Sequence, residues 1–385
     1  MRVAGILTLA ALMTGVPTGV PVAVSPAPAV HHPGARPGHP NHVARRHVAR
    51  RHVARKHVAR RHGTTKVPAL NYLATVGALA GVTDVGPRSA WAVGYTSTTT
   101  LILHWNGHRW RVESRKPGAY ARLLSVSASS AHGAWAVGTG RFGTAPLAER
   151  LTGSGWIQVS APNPRGGTTV AGVAAITVRN VWAVGGNSRW TVILHWNGRS
   201  WQRVHSPSPS SSGSYLQAVA AKSPTNAWAV GTTSDRTLIE HWTGSGWHRT
   251  ASPSPGGSPV LNGVAASSAA NAWAVGGLSN SGKTLILHWN GRSWRRVPSP
   301  SPRGFSVLSA VTATSFTNAW AVGYASGKTL ILHWDGRNWK RVPSPNPAGY
   351  CTLLSVSAAS PTNAWAVGSA GSKTLILHWN GHRWN

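Results

Sequence analysis

Arg236, Lys283, Lys328 and Lys373 each stand immediately before the same kind of hydrophobic run, Thr-Leu-Ile ending in His-Trp. Arg189 and Trp190 stand before its variant, Thr191-Val192-Ile193-Leu194-His195-Trp196. Cations repeated at one position on the loops of a rigid scaffold would line a basic rim that attracts an anionic polymer or glycan. Trp190 would add a flat apolar face on which a ligand ring stacks. These six residues form the candidate ligand-binding set. The competing reading is that the charges are only solvated where strands begin. A second recurrence is the histidine before the Trp, at His104, His195, His241, His288, His333 and His378, with Arg150 once in its place. Six related imidazoles suggest a metal ring. Each would sit inside its own repeat, far from its equivalents, so a hydrogen bond to a neighbour is the expected use. No metal or cofactor is expected.

The charge balance restricts the partners. There are 38 Lys+Arg against 6 Asp+Glu, and the acids (Asp84, Glu113, Glu149, Asp235, Glu240, Asp335) are dispersed. Chemistry needing clustered carboxylates has little to draw on, and no catalytic constellation is visible, so a non-enzymatic binding or scaffold protein is expected. An excess of cations favours polyanions: wall polymers, glycans, acidic lipid surfaces, or nucleic acid held non-specifically through its phosphates.

The elements that must position these residues follow from the rest of the chain. Residues 1–29 read as an export signal: Arg2, a mostly apolar Val3 to Val16, and the small-x-small site Ala27-Pro28-Ala29. The apolar run is too short for a transmembrane helix, so a secreted monomer is expected, free or associated with the cell wall. Residues 30–65 form a basic arm in which His42-Val43-Ala44-Arg45-Arg46 recurs at His47, His52 and His57. A five-residue period fits neither helix nor strand, and self-repulsion favours an extended, disordered segment. Two readings of it stand, an electrostatic tether and a spacer. The single Cys351 forms no intrachain disulfide, so stability must come from the core.

Residues 66–385 are repetitive. Trp-Ala-Val-Gly begins at Trp91, Trp135, Trp182, Trp228, Trp273, Trp320 and Trp365, at spacings of 44 to 47 residues. Each repeat reads as four short strands. In the fifth they are Leu261–Ala265, Asn271–Gly276, Thr284–Trp289 and Trp294–Val297, separated by turn residues. The expected fold is all-β, a seven-bladed propeller of four-stranded blades. First strands converge on the axis and need small residues, which Gly81, Ser125, Gly172, Ala218, Gly263, Ala310 and Ser355 provide. Fourth strands form the outer edge, where Arg111, Arg203, Arg295, Arg296, Lys340 and Arg341 oppose edge-to-edge association. The chain ends just inside the seventh fourth strand. Lys66-Val67-Pro68-Ala69-Leu70-Asn71 matches Arg341-Val342-Pro343-Ser344-Pro345-Asn346, so a strand from the N-terminal side is expected to close the ring.

The glycine pairs Gly185-Gly186 and Gly276-Gly277, and Trp294 followed by Val297-Pro298, resemble the kelch repeat of galactose oxidase-like propellers. The turns Asp335-Gly336-Arg337-Asn338-Trp339 and Asn290-Gly291-Arg292-Ser293-Trp294 resemble a degenerate sialidase Asp-box. The resemblance spans about 67–385 and implies a propeller, with a secreted galactose oxidase-like enzyme or a carbohydrate-binding lectin as the alternative function. Galactose oxidase chemistry would need a copper site of two Tyr, two His and a Tyr-crosslinked Cys. Tyr95, Tyr120, Tyr215, Tyr324 and Tyr350 are expected in loops of one face, without a matching His pair. The Gly-His and Trp-Asp signatures of WD40 repeats are missing at repeat positions.

Overall fold

A computed structural model describes residues 76–385, except 117–119, 165–166, 188–189, 208–212, 348 and the side chain of Arg141. Their strands form seven antiparallel sheets, six of four strands and one of three, each pairing in simple chain order. Blade 1 runs from Ala78 to Ser114, blade 2 from Arg122 to Gln158, blade 3 from Thr169 to Val204 and blade 4 from Ser214 to Arg249. Blade 5 covers Pro259 to Arg296, blade 6 Ser306 to Val342 and blade 7 Cys351 to Trp379. Beyond Trp379 the chain turns back. Trp384 bridges Trp379, and Asn385 exchanges two backbone hydrogen bonds of 3.0 Å with His378, which begins a fourth strand for blade 7.

First strands touch one another in an unbroken cycle, blade 7 meeting blade 1 as each other blade meets the next. The small residues explain how closely they approach. A Cβ added at Gly263 would lie 2.8 Å from Ala310 Cα of the next blade, and one at Gly172 would lie 2.9 Å from Ala218 Cα. Where serine stands instead, it makes a bond. Ser125 and Ser127 Oγ accept from the Val173 and Ala175 N–H groups of blade 3, and Ser355 and Ser357 Oγ accept from Val82 and Asp84 of blade 1.

Each blade joint is filled by tryptophan. The Trp of each Trp-Ala-Val-Gly segment packs against Trp side chains on the third and fourth strands of the next blade. Trp228 lies 4.9 Å from Trp289 and edge-on, 5.1 Å, from Trp294. The same arrangement joins blade 7 to blade 1, Trp365 meeting Trp105 and Trp110. Blade 2 departs from it, since Leu151 replaces the third-strand Trp and Arg150 lies over Trp135 at 5.8 Å. Large aromatic pairs of this geometry contribute roughly 0.5–1.5 kcal/mol beyond their burial, so seven such joints account for a core held without disulfides. The outer-edge cations Arg111, Arg203, Arg295, Arg296, Lys340 and Arg341 are all exposed.

Ring closure uses the same staple as the other joints. Gly77 N–H donates to Ser372 O at 2.8 Å, as Cys351 N–H does to Gly327 O and Ser306 N–H to Gly282 O. One residue is peculiar to this joint. Asp84 occupies the place held by Ala128, Ala175, Ala221, Ala266, Ala313 and Ala358 in the other blades. Its carboxylate accepts from Gly86 N–H, Ala359 N–H and Asn363 Nδ2, tying blade 1 to blade 7. The export signal, the basic arm and the expected closing strand at 66–71 lie outside the described residues.

Candidate binding face

In a meander of four strands, the turn between second and third strands shares one end of the blade with the connection to the next blade. The backbone bonds that staple one blade to the next join these two kinds of loop. Arg236, Lys283, Lys328 and Lys373 open the third strands of blades 4, 5, 6 and 7, paired with Thr233, Leu278, Ala325 and Ala370 respectively. All four are exposed. The corresponding positions in blades 1, 2 and 3 are the uncharged Thr99, Ala145 and Trp190. The cations therefore form an arc over four consecutive blades. Asp235, in the turn beside Arg236, is the acid of this set of turns.

Trp190 lies within that same face, half-buried, its N–H donating to Asn187 Oδ1 at 2.9 Å. Its neighbour Arg189 lies outside the described residues. Among the five tyrosines, Tyr120 and Tyr350 precede first strands in connecting segments. Tyr95, Tyr215 and Tyr324 instead belong to strand ends, because the second strands extend past the glycine of the tetrad and the first strand of blade 4 begins at Ser214. Tyr215 has a packing role. A Cβ at Gly186 of blade 3 would meet its ring at 3.1 Å, and its hydroxyl bonds the Thr169 side chain.

The recurring histidines are structural. Each stacks on the tetrad Trp of its own blade, as in Trp228–His241 at 3.9 Å and Trp273–His288 at 4.1 Å. His195, His288, His333 and His378 Nε2 bond Asn180, Asn271, Asn318 and Asn363 Oδ1 at 2.7–2.9 Å. Burial lowers the pKa of all six. Among the described residues no group of three or more His, Cys, Asp or Glu could hold a metal ion.

The Asp-box-like turns lie at the opposite end of the blades. There Asp335 Oδ1 accepts from Arg337 and Asn338 N–H, and Asn290 Oδ1 from Arg292 and Ser293 N–H. The carboxylate or amide oxygen caps a tight turn whose glycine has a positive φ, 92° at Gly336.

One feature of the face is absent from the repeat pattern. Tyr120, Arg122, Thr139, Phe142, Gly143 and Thr169 line an open pocket of about 340 Å³ in blade 2 and the start of blade 3. Its only sequence signal is that blade 2 is the divergent repeat, lacking the third-strand Trp, the histidine and the basic residue before the third strand.

No protein-family model matches the sequence, and no curated protein matches it. Solved propellers do resemble the fold. YCF48 from Cyanidioschyzon merolae has a TM-score of 0.54 at 19% identity, covering 80% of this chain and 97% of that one. U3-55K has 0.56 at 12% identity, covering 78% and 95%. The WD40 repeats of RRP9 have 0.55 at 12% identity, covering 78% and 94%. At these identities the likeness concerns the fold alone, a seven-bladed propeller, and fold by itself does not fix a function. The kelch resemblance continues to rest on sequence motifs only.

Proposed function

We propose that this protein is an exported, non-enzymatic binding propeller that holds an anionic polymer or glycan of the cell exterior against the face that carries these loops. The observation that carries the reading is the arc of exposed cations, Arg236, Lys283, Lys328 and Lys373, at one structural position of four consecutive blades. Solvation of scattered charge does not require that shared register. Residues 30–65 would add a second, non-specific electrostatic contact, and residues 1–29 the route to the exterior.

Binding of the full chain to teichoic acid, heparin and duplex DNA, each titrated from 50 to 300 mM salt, tests this. Affinity should fall steeply with salt for the true partner class. Replacing the four cations by glutamine should flatten the log–log slope on DNA by up to about 0.9 for each phosphate no longer neutralised. Binding that ignores ionic strength, or a slope untouched by the fourfold variant, would overturn the reading.

A further inference from the structure

Among the described residues, the loops of blade 2 that line the pocket are set apart by their backbone. The turn between its second and third strands contains Phe142 at φ 57°, and the segment entering its first strand contains Tyr120 at φ 62°. Among the described residues these are the two bulky side chains in left-handed backbone; the other non-glycine cases are Ser234, Asp235, Ser258 and Ser326. For an aromatic residue that conformation is strained and persists where the surroundings enforce it. Around Phe142 they do. Thr144 O accepts from Gly167 N–H at 3.1 Å and Asn163 Nδ2 at 2.9 Å, and Gly140 N–H donates to Ala145 O at 2.7 Å. The loop so held and the segment carrying Tyr120 present two rings 5.6 Å apart, and both side chains are largely solvent-facing, 62% and 59% exposed.

Arg122 lines the same pocket, its guanidinium 4.7 Å from the centre of the Tyr95 ring. The contact is a cation–π one and holds the guanidinium against the ring. All six acids of the chain are among the described residues, and none forms an ion pair with Arg122. Thr139 and Thr169 line the pocket as well, and Thr139 Oγ1 is buried without a hydrogen-bond partner. An arginine held on a ring, paired exposed aromatic rings and hydroxyls around one open pocket suit a ring that is apolar on its face and anionic at its edge.

We propose that this pocket takes one carboxylate-bearing sugar residue, a uronic acid, with its carboxylate on Arg122 and its C–H face on Phe142 and Tyr120. The inference deepens the polymer reading and rests on it: the cationic arc supplies affinity for any polyanion, and the pocket selects the acidic sugar.

The test uses the full chain with D-glucuronate, D-glucose and acetate, each titrated at 150 mM salt and followed by saturation-transfer NMR and calorimetry. Glucuronate should bind at least tenfold tighter than either control. Arg122→Gln should weaken it tenfold or more, and Phe142→Ala should weaken it with unchanged melting temperature. Arg122→Lys, which keeps the charge and loses the fork, should also weaken it. The fourfold arc variant should bind monomeric glucuronate as the wild type does. Equal binding of acetate or glucose, or glucuronate binding indifferent to Arg122→Gln, would overturn the proposal. Salt-sensitive polymer binding without glucuronate binding would refute the pocket alone, whereas salt-independent polymer binding would refute the arc.

Discussion

Glu240 occupies a place that leucine holds in five blades, at Leu103, Leu194, Leu287, Leu332 and Leu377, and that Glu149 holds in blade 2. Glu149 is ion-paired with Lys116 at 2.7 Å. Glu240 has the Ser206 hydroxyl, 3.2 and 3.1 Å from its two oxygens, and is fully buried. Burial pushes its pKa up to about 7, outweighing the opposite pull of Ser206 and Arg249. The folded-state value lies above the unfolded one of 4.5, so the native state binds the proton more tightly. Its contribution to stability is then greatest below pH 4.5 and is lost as pH rises through 7. A shift of that size corresponds to about 3 kcal/mol at pH 8.

Glu240→Leu should therefore stabilise the ring, little at pH 4.5 and by about 3 kcal/mol at pH 8. In a chain of this length that is about 4 °C in melting temperature. Thermal unfolding of both proteins by circular dichroism at pH 4.5, 6 and 8 measures it. The six depressed histidines act in the other sense, destabilising both proteins as pH falls below 6.5, so the informative quantity is the difference between variant and wild type. A difference that stays flat or shrinks with rising pH would refute the reasoning.

Three further outcomes are expected. Asp84, pushed up to about 6 by burial, should give the same sign at the closing joint. The melting temperature of Asp84→Ala minus that of wild type should rise between pH 4 and 7.5, and a constant offset would contradict it. Trp384 is buried and packs edge-on against Trp320 at 5.3 Å, so Trp384→Ala should cost roughly 3–5 kcal/mol in denaturant unfolding although it lies one residue from the chain end. Gly263→Val drives a side chain into Ala310 and should cost at least about 1–3 kcal/mol, whereas Gly256→Ala, with nothing within 4 Å, should be near neutral. Similar effects of the two would mean that the first strands are not close-packed.

Most of the fold was legible because a propeller repeats its requirements. Six of the seven joints use the same tryptophan triad, and each first strand the same kind of small residue, so each constraint is written many times over. Trp190 stood out for the converse reason: among the 21 tryptophans it matches no repeat position. Strand ends were less legible. Tyr95 and Tyr324 follow the tetrad glycine, which reads as a stop, yet pairing with Thr100 and Thr329 carries both second strands further. The pocket was illegible for a physical reason. Nothing in the residue types of Tyr120 or Phe142 announces left-handed backbone, and Arg122 reads as one more cation until its stacking on Tyr95 is seen.

Repetition that specifies a ring so firmly cannot also specify direction on it. Seven equal blades would present an anionic chain with seven equivalent registers and no reason to prefer one. Preference has to come from positions where the blades differ, and on this face they differ in a related way. The basic residue before the third strand is present in blades 4 to 7 and missing from blades 1 to 3, while the pocket is built by blades 2 and 3. The ring order places the pocket in the gap left by the arc. A polymer following the arc from either end therefore arrives at blades 1 to 3, where the repeated cation gives way to the pocket's single Arg122 with its aromatic and hydroxyl neighbours. Charge density would then govern how fast a polyanion is captured, and the fit of a single sugar residue would govern which one is retained.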